Sequence, residues 1–182
     1  VCDEQHRFGV AQRASLTEKG ESCDVLIMSA TPIPRTLSLI FYGDLDIAEI
    51  QDTPRSRQDI STSIIPERKY NDMLRYVEEQ AKLGNQTYFV CPKIEGDDEG
   101  TVMSVTELYD DLRAKMPSVR FALLHGKMRE KEKNEIMSAF KNKQYDCLVS
   151  TTVIEVGVDV PDATIMIIYN AERFGLSQLH QL

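Results

Sequence analysis

Ser150-Thr-Thr-Val-Ile-Glu-Val-Gly-Val-Asp-Val-Pro-Asp162, which continues through Ala163 to Tyr169, is the stretch on which the fold turns. Cys147 to Val149 before it and Thr164 to Tyr169 after it are short apolar runs, the mark of strands buried on both faces. Between them lies a loop of small and hydroxylic residues. In an open parallel sheet, ligands bind beyond the carboxyl ends of the strands. This places Thr151, Thr152, Glu155, Gly157 and Asp159 on the functional edge. Gly157 lets backbone approach a ligand closely, hydroxyls can bond phosphate oxygens, and Asp159 can accept from a ribose hydroxyl. The same residues also compose an ordinary strand-to-strand turn. Both readings stand at this point.

Working back toward the N-terminus, the pattern alternates. A strand at Ser61 to Ile65 precedes a helix from Lys69 to Leu83, with Tyr70, Met73, Leu74, Val77 and Ala81 on one stripe. Gly84 is its stop, and a strand at Thr87 to Cys91 follows. The acidic loop Glu95 to Gly100 reads as a solvated tip, without the spacing of a calcium loop. Ser104-x-x-Glu107 is a capping box opening a helix with Val105, Leu108, Leu112 and Met116 inward, ended by Pro117. A strand at Val119 to Leu124 runs into His125-Gly-Lys-Met128, and a charged helix, Arg129 to Lys141, buries Ile136, Met137 and Phe140. Phe174 to Leu182 reads as another helix. Strands alternating with helices predict an α/β fold, a parallel sheet covered on both faces.

The first fifty residues are a separate piece. Val1-Cys2 reads as the stump of a strand that ends in Asp3-Glu-Gln-His6. Adjacent carboxylates at a strand's C-terminal end suit Mg²⁺ chemistry, one holding the hydrated metal and the other orienting a water. A solvated acidic turn is the other reading. Asp24 to Met28 is a second buried strand, running into Ser29-Ala-Thr-Pro-Ile-Pro-Arg35. Pro34 stands at a helix start, and Ser29 and Thr31 share the edge of the Asp-Glu pair, as caps or as functional groups. Gln51 to Asp59 is polar and aperiodic, a linker. The expected organisation is therefore residues 1–50, a linker at 51–59, and a second lobe at 60–182.

Composition narrows the class. With 182 residues, 42% hydrophobic and 27% charged, the chain has the make-up of a globular protein. Its longest apolar runs fall far short of the roughly 20 residues of a membrane span. The start lacks a basic n-region and a cleavage pattern, and it lacks a Met, so a piece of a longer protein is expected. Cys2, Cys23, Cys91 and Cys147 are scattered without a CxxC pair, which argues against zinc or a disulfide framework and for a reducing cytoplasm. The net charge of -8 speaks against general coating of nucleic acid, though a local phosphate track remains compatible with it.

The order of the short signatures says more than any one of them. Asp3-Glu-Gln-His6, Ser29-Ala-Thr31, Phe89-Val-Cys-Pro-Lys93, His125-Gly-Lys-Met128, Ser150 to Pro161 and Gln178-Leu-His-Gln-Leu182 resemble, in sequence order, motifs II, III, IV, IVa, V and the opening of VI of the second helicase superfamily. Asp3 to Val10, Met28 to Thr36 with Tyr42-Gly-Asp-Leu-Asp46, and Val149 to Pro161 look specifically like the RecG-type ATP-dependent DNA helicases, which remodel branched DNA. The transcription-repair coupling translocases share the Ala30-Thr-Pro-Ile-Pro-Arg-Thr36 and Leu179-His-Gln-Leu182 strings and are the nearest alternative.

The resemblance implies a RecA-like lobe at 60–182 preceded by the tail of a first lobe, with ATP and Mg²⁺ as cofactors and forked DNA as partner. It implies that Asp3 holds Mg²⁺ and Glu4 activates water, with Gln5, His6, Ser29 and Thr31 coupling nucleotide to DNA. Thr151 would bond a DNA phosphate with Thr152 beside it, and His125, Gly126 and Lys133 would lie along the same track; Lys133 reads equally as a surface lysine of a charged helix. Gly157, Asp159 and Gln181 would face the nucleotide. Two departures matter: no GxxxxGK[ST] is present, and the chain stops short of the arginines of motif VI. The family's wedge domain is also absent. The segment alone is therefore expected to hydrolyse no ATP, and a binding or docking module is the reading from another class. Exposed strand edges in residues 1–48 predict abnormal packing or a non-native oligomer.

Overall fold

The computed structural model describes residues 60–92, 104–152 and 160–182, together with Leu26, Met28, Ala48 and Ile50. The chain divides into two compact units, and the sheet with its helices belongs to the one built on Ile60–His180 and Leu182. The expected elements of residues 1–59 lie outside the described residues, apart from Leu26 and Met28. Those two, expected within a buried strand, carry no strand pairing and are exposed.

Helix α1 (Tyr70–Lys82) forms where the apolar stripe predicts it, with Met73, Leu74 and Val77 buried. Gly84 takes φ +85°, and the helix closes as a Schellman motif. Gly84 N–H donates to the Ala81 carbonyl and Asn85 N–H to the Gln80 carbonyl, both at 3.0 Å. Strand β1 (Gln86–Val90) is buried throughout. Helix α2 (Val105–Lys115) opens with the reciprocal box read from the sequence: Glu107 N–H donates to Ser104 Oγ at 3.1 Å, and Ser104 N–H to Glu107 Oε2 at 2.7 Å. Strand β2 (Phe121–Leu124), helix α3 (Glu130–Lys141), strands β3 (Cys147–Ser150) and β4 (Ala163–Ile168), and helix α4 (Leu176–Gln181) complete the order.

The four strands are all parallel, in the order β2-β3-β1-β4. Period-2 alternation sends Phe89, Val149 and Phe121 to one face, against α1 and α2, where Leu108 and Leu112 are fully buried. It sends Tyr88, Leu148 and Leu124 to the other, where Phe140 of α3 meets Tyr88 edge-on at 5.1 Å. This is the two-faced parallel sheet the sequence predicts. Among the described residues the longest helices are too short and polar to cross a membrane.

Two expectations fail. Ser61 to Ile65 forms no strand, and Ile64 is 97% exposed. Strand β4, expected to be buried on both faces, is only partly buried. It ends the sheet order, and apolar composition cannot reveal whether a strand is central or terminal. Smaller differences lie at strand ends. Arg120, expected inside β2, precedes it, because its N–H donates to Asp146 Oδ2 at 2.9 Å rather than to a ladder carbonyl.

Candidate nucleic-acid and nucleotide rim

Parallel register brings the strand ends into one row. Leu124 pairs with Ser150, Ser150 with Val90, and Val90 with Ile168. The next residue of each strand forms the rim: His125, Thr151, Cys91 and Tyr169. Backbone bonds carry the ladder this far, with Cys91 N–H on Ser150 O at 2.9 Å and Tyr169 N–H on Val90 O at 2.8 Å. The loops after Leu124 and Val149, singled out from the sequence, therefore leave the same edge. The loop after Met28 lies outside the described residues.

Thr151 is 4% exposed, and its carbonyl accepts from Ser150 Oγ at 2.8 Å. Thr152 follows it, partly buried. On the neighbouring strand, His125 begins a turn in which Met128 N–H donates to the His125 carbonyl at 3.2 Å, with Gly126 exposed at its tip. His125 Nδ1 is buried without a hydrogen-bond partner. An orphaned buried polar atom beside hydroxyl and backbone donors is what a rim built to meet a polar ligand presents.

Lys133 is better buried than a surface lysine of a charged helix. It lies one turn before Ile136 and Met137 on the inward stripe of α3, its side chain is 19% exposed, and its Nζ is 3.7 Å from Glu130 Oε2. The stem packs along the core while the charge is held near the helix start. Gln181 is partly buried at the end of α4. Asp3, Glu4, Gln5, His6, Ser29, Thr31, Gly157 and Asp159 all lie outside the described residues. No group of three His, Cys, Asp or Glu among the described residues could hold a metal. Of the residues expected at the nucleotide, Gln181 is the one among the described residues.

Sequence reasoning missed one feature of the rim. Tyr169 donates its hydroxyl to Tyr70 Oη at 3.1 Å; Tyr70 donates to Asp111 Oδ2 at 3.5 Å, and Lys115 Nζ donates to the same oxygen at 2.8 Å. Lys115 Nζ also lies 4.8 Å from the centroid of the Tyr70 ring. Burial, then the bond to Tyr70, pushes the Tyr169 hydroxyl far above the ordinary tyrosine value. The hydrogen bond to Asp111 raises Lys115. This chain ties the end of β4 to α1 and α2. Tyr70 was legible only as one residue of an apolar stripe, and no spacing rule links positions 99 residues apart. Cys147 opens β3, fully buried, with its thiol pushed up by burial to about 12, so it is inert packing rather than chemistry.

A parallel sheet with helices on both faces and its polar residues gathered at the carboxyl rim defines the class, an open α/β lobe of the kind that meets its ligands beyond the strand ends. Residues 68–182 match the family described as the helicase conserved C-terminal domain, and the chain belongs to that family. It is 47% identical over 183 aligned residues to the ATP-dependent DNA helicase RecG of Thermotoga maritima, covering all of this chain and 24% of that protein. A solved structure of RecG bound to a three-way DNA junction matches with TM-score 0.73 and 40% identity, across 100% of this chain and 23% of that one. Dbp5 of S. cerevisiae, solved with RNA and ADP BeF3, matches with TM-score 0.63 over 98% of this chain and 47% of its own at 13% identity, a likeness of fold alone. The chain thus spans about a quarter of the length of the curated relative it matches.

Proposed function

We propose that these residues are part of an ATP-dependent DNA helicase or translocase of the RecG type, acting on forked or branched DNA in recombination and repair, in the cytoplasm. The observation that carries the reading is the 47% identity to the Thermotoga maritima relative along the whole chain. In this reading residues 1–50 close a first RecA-like lobe, 51–59 link it, and 60–182 form the second, with a P-loop, a wedge domain and the motif VI arginines supplied by the rest of one polypeptide. ATP with Mg²⁺ drives the cycle. Asp3 holds the metal, Glu4 orients the water, and Gln5, His6, Ser29 and Thr31 couple that site to DNA. Gly157, Asp159 and Gln181 face the nucleotide from the second lobe.

The DNA side is argued from the rim. Thr151, Thr152, His125 and Gly126 grip backbone phosphates through hydroxyl, imidazole and main-chain donors, with Lys133 behind them. Such contacts position a strand without reading its bases, which reconciles a DNA motor with a net charge of -8. In the complete polypeptide, Thr151→Val keeps the shape and removes the hydroxyl. A hydrogen bond to a charged group is worth about 1.5–3 kcal/mol, so DNA-stimulated ATP hydrolysis is expected to need at least about tenfold more forked DNA for half-stimulation. Phosphate release that forked DNA fails to stimulate in the complete polypeptide would sink the reading. The 182-residue chain alone is expected to release no phosphate from ATP with or without DNA.

A further inference from the structure

We propose that Tyr169 is a positioning residue: its hydroxyl, held by Tyr70, fixes the segment that leads from β4 over the carboxyl rim to α4. Through α4 it sets Gln181 against the nucleotide, a role that rests on the reading of Gln181 as facing ATP.

The segment crosses the end of the sheet between Tyr169 and Phe174. Tyr169 packs on the Phe89 face, its ring centroid 6.4 Å from that of Phe89. Phe174, 8% exposed, packs on the Tyr88 face with Leu179 and Leu182. Between them Asn170 takes φ 50° and ψ 48°, a left-handed conformation that costs a non-glycine residue backbone strain. Ala171–Arg173 then forms a single 3₁₀ turn. Arg173 N–H donates to the Asn170 carbonyl at 2.9 Å and Phe174 N–H to the Ala171 carbonyl at 3.1 Å, both local bonds. Helix α4 has six residues, too few to be stable without outside contacts. The direction in which it leaves the rim is therefore set by the anchors at Tyr169 and Phe174.

The two anchors differ in kind. Burial of Phe174 is non-directional, whereas Tyr169 is held at both ends. Its N–H donates to Val90 O at 2.8 Å and its hydroxyl to Tyr70 Oη at 3.1 Å. The order of donors follows from the charges at the far end. Lys115 Nζ and the Tyr70 hydroxyl both donate to Asp111 Oδ2, at 2.8 Å and 3.5 Å. A carboxylate only accepts, so the Tyr70 proton goes to Asp111 and its oxygen is left to accept from Tyr169. Two phenylalanines would fill the same space at nearly no cost in stability. The hydroxyls therefore supply distance and direction, which packing alone would not require.

Two measurements test this. In the 182-residue chain, amide exchange is compared among the natural protein, Tyr169→Phe, Tyr70→Phe and the double variant. The amides of Arg173, Phe174 and Leu179 report the segment, and those of Cys91 and Thr151 report the ladder. In the complete polypeptide, kcat and KM for ATP are measured on forked DNA, with Ser104→Ala as a control of similar effect on stability. Losing one neutral hydrogen bond corresponds to about fivefold. Each single variant is expected to speed exchange at the segment amides by about that factor, the double variant no further, with the ladder amides unchanged. KM for ATP is expected to rise about fivefold with kcat kept, while Ser104→Ala leaves KM unchanged. Unchanged exchange in Tyr169→Phe would overturn the proposal, since the hydroxyl would then hold nothing. Faster exchange with an unchanged KM in an active polypeptide would overturn it too, leaving a structural bond only. If the natural polypeptide hydrolyses no ATP on forked DNA, the helicase reading itself fails and takes the nucleotide role with it.

Discussion

Gly84 and Lys143 occupy equivalent places after α1 and α3, and they make opposite predictions. Gly84 has φ +85° with open space where a Cβ would stand. Gly84→Ala therefore costs only left-handed backbone strain, about 1–2 kcal/mol, read as a lower urea midpoint. Lys143 adopts φ 58°, and it completes the same motif, with Lys143 N–H on Phe140 O and Gln144 N–H on Ala139 O. Lys143→Gly relieves that strain but loses an exposed ion pair with Asp162 at 3.0 Å and gains unfolded-chain freedom. It is expected to change stability by less than about 0.5 kcal/mol. The glycine stop was legible in the sequence. The lysine one was not, because a non-glycine residue is forced into that region only by the packing around it.

At the scale of elements, the capping box of α2 gives two measurable effects. Ser104→Ala removes the acceptor for Glu107 N–H and is expected to cost about 1 kcal/mol. The backbone and side-chain bonds from Ser104 lower the Glu107 carboxyl below its ordinary value. A depressed acid adds stability above its unfolded pKa and loses it as pH falls through the folded one. Urea midpoints should therefore fall below about pH 4.5, and Glu107→Gln should flatten part of that fall; an unchanged slope would remove the assignment. Helix limits were readable because caps and stripes are local in sequence. Strand status was not: Ser61 to Ile65 has the composition of a strand and no ladder, while β4 has the composition of a buried strand and lies at the edge.

At the scale of the unit built on Ile60–His180, both faces of one sheet hold it together. Leu108 is fully buried between α2 and the Phe89 face, so Leu108→Ala is expected to cost about 2–5 kcal/mol and to lower the thermal midpoint by several degrees. Cys147, fully buried at the start of β3 with its thiol pushed up to about 12, should resist alkylation in the native protein and react only on unfolding. Alkylation of the folded chain at neutral pH would contradict the burial described.

The sequence by itself determined the alternation of strands and helices, the caps and stops, and the positions of the hydroxyl-bearing signatures, because each rests on neighbours within a few residues. Only the tertiary structure decided that the loops after Leu124 and Ser150 share one rim, that Lys133 lies along the core face of α3, and that Tyr169 meets Tyr70. Sheet order and register come from contacts between residues tens of positions apart, where side-chain complementarity and the hand of each crossover choose among arrangements that local pattern leaves equal.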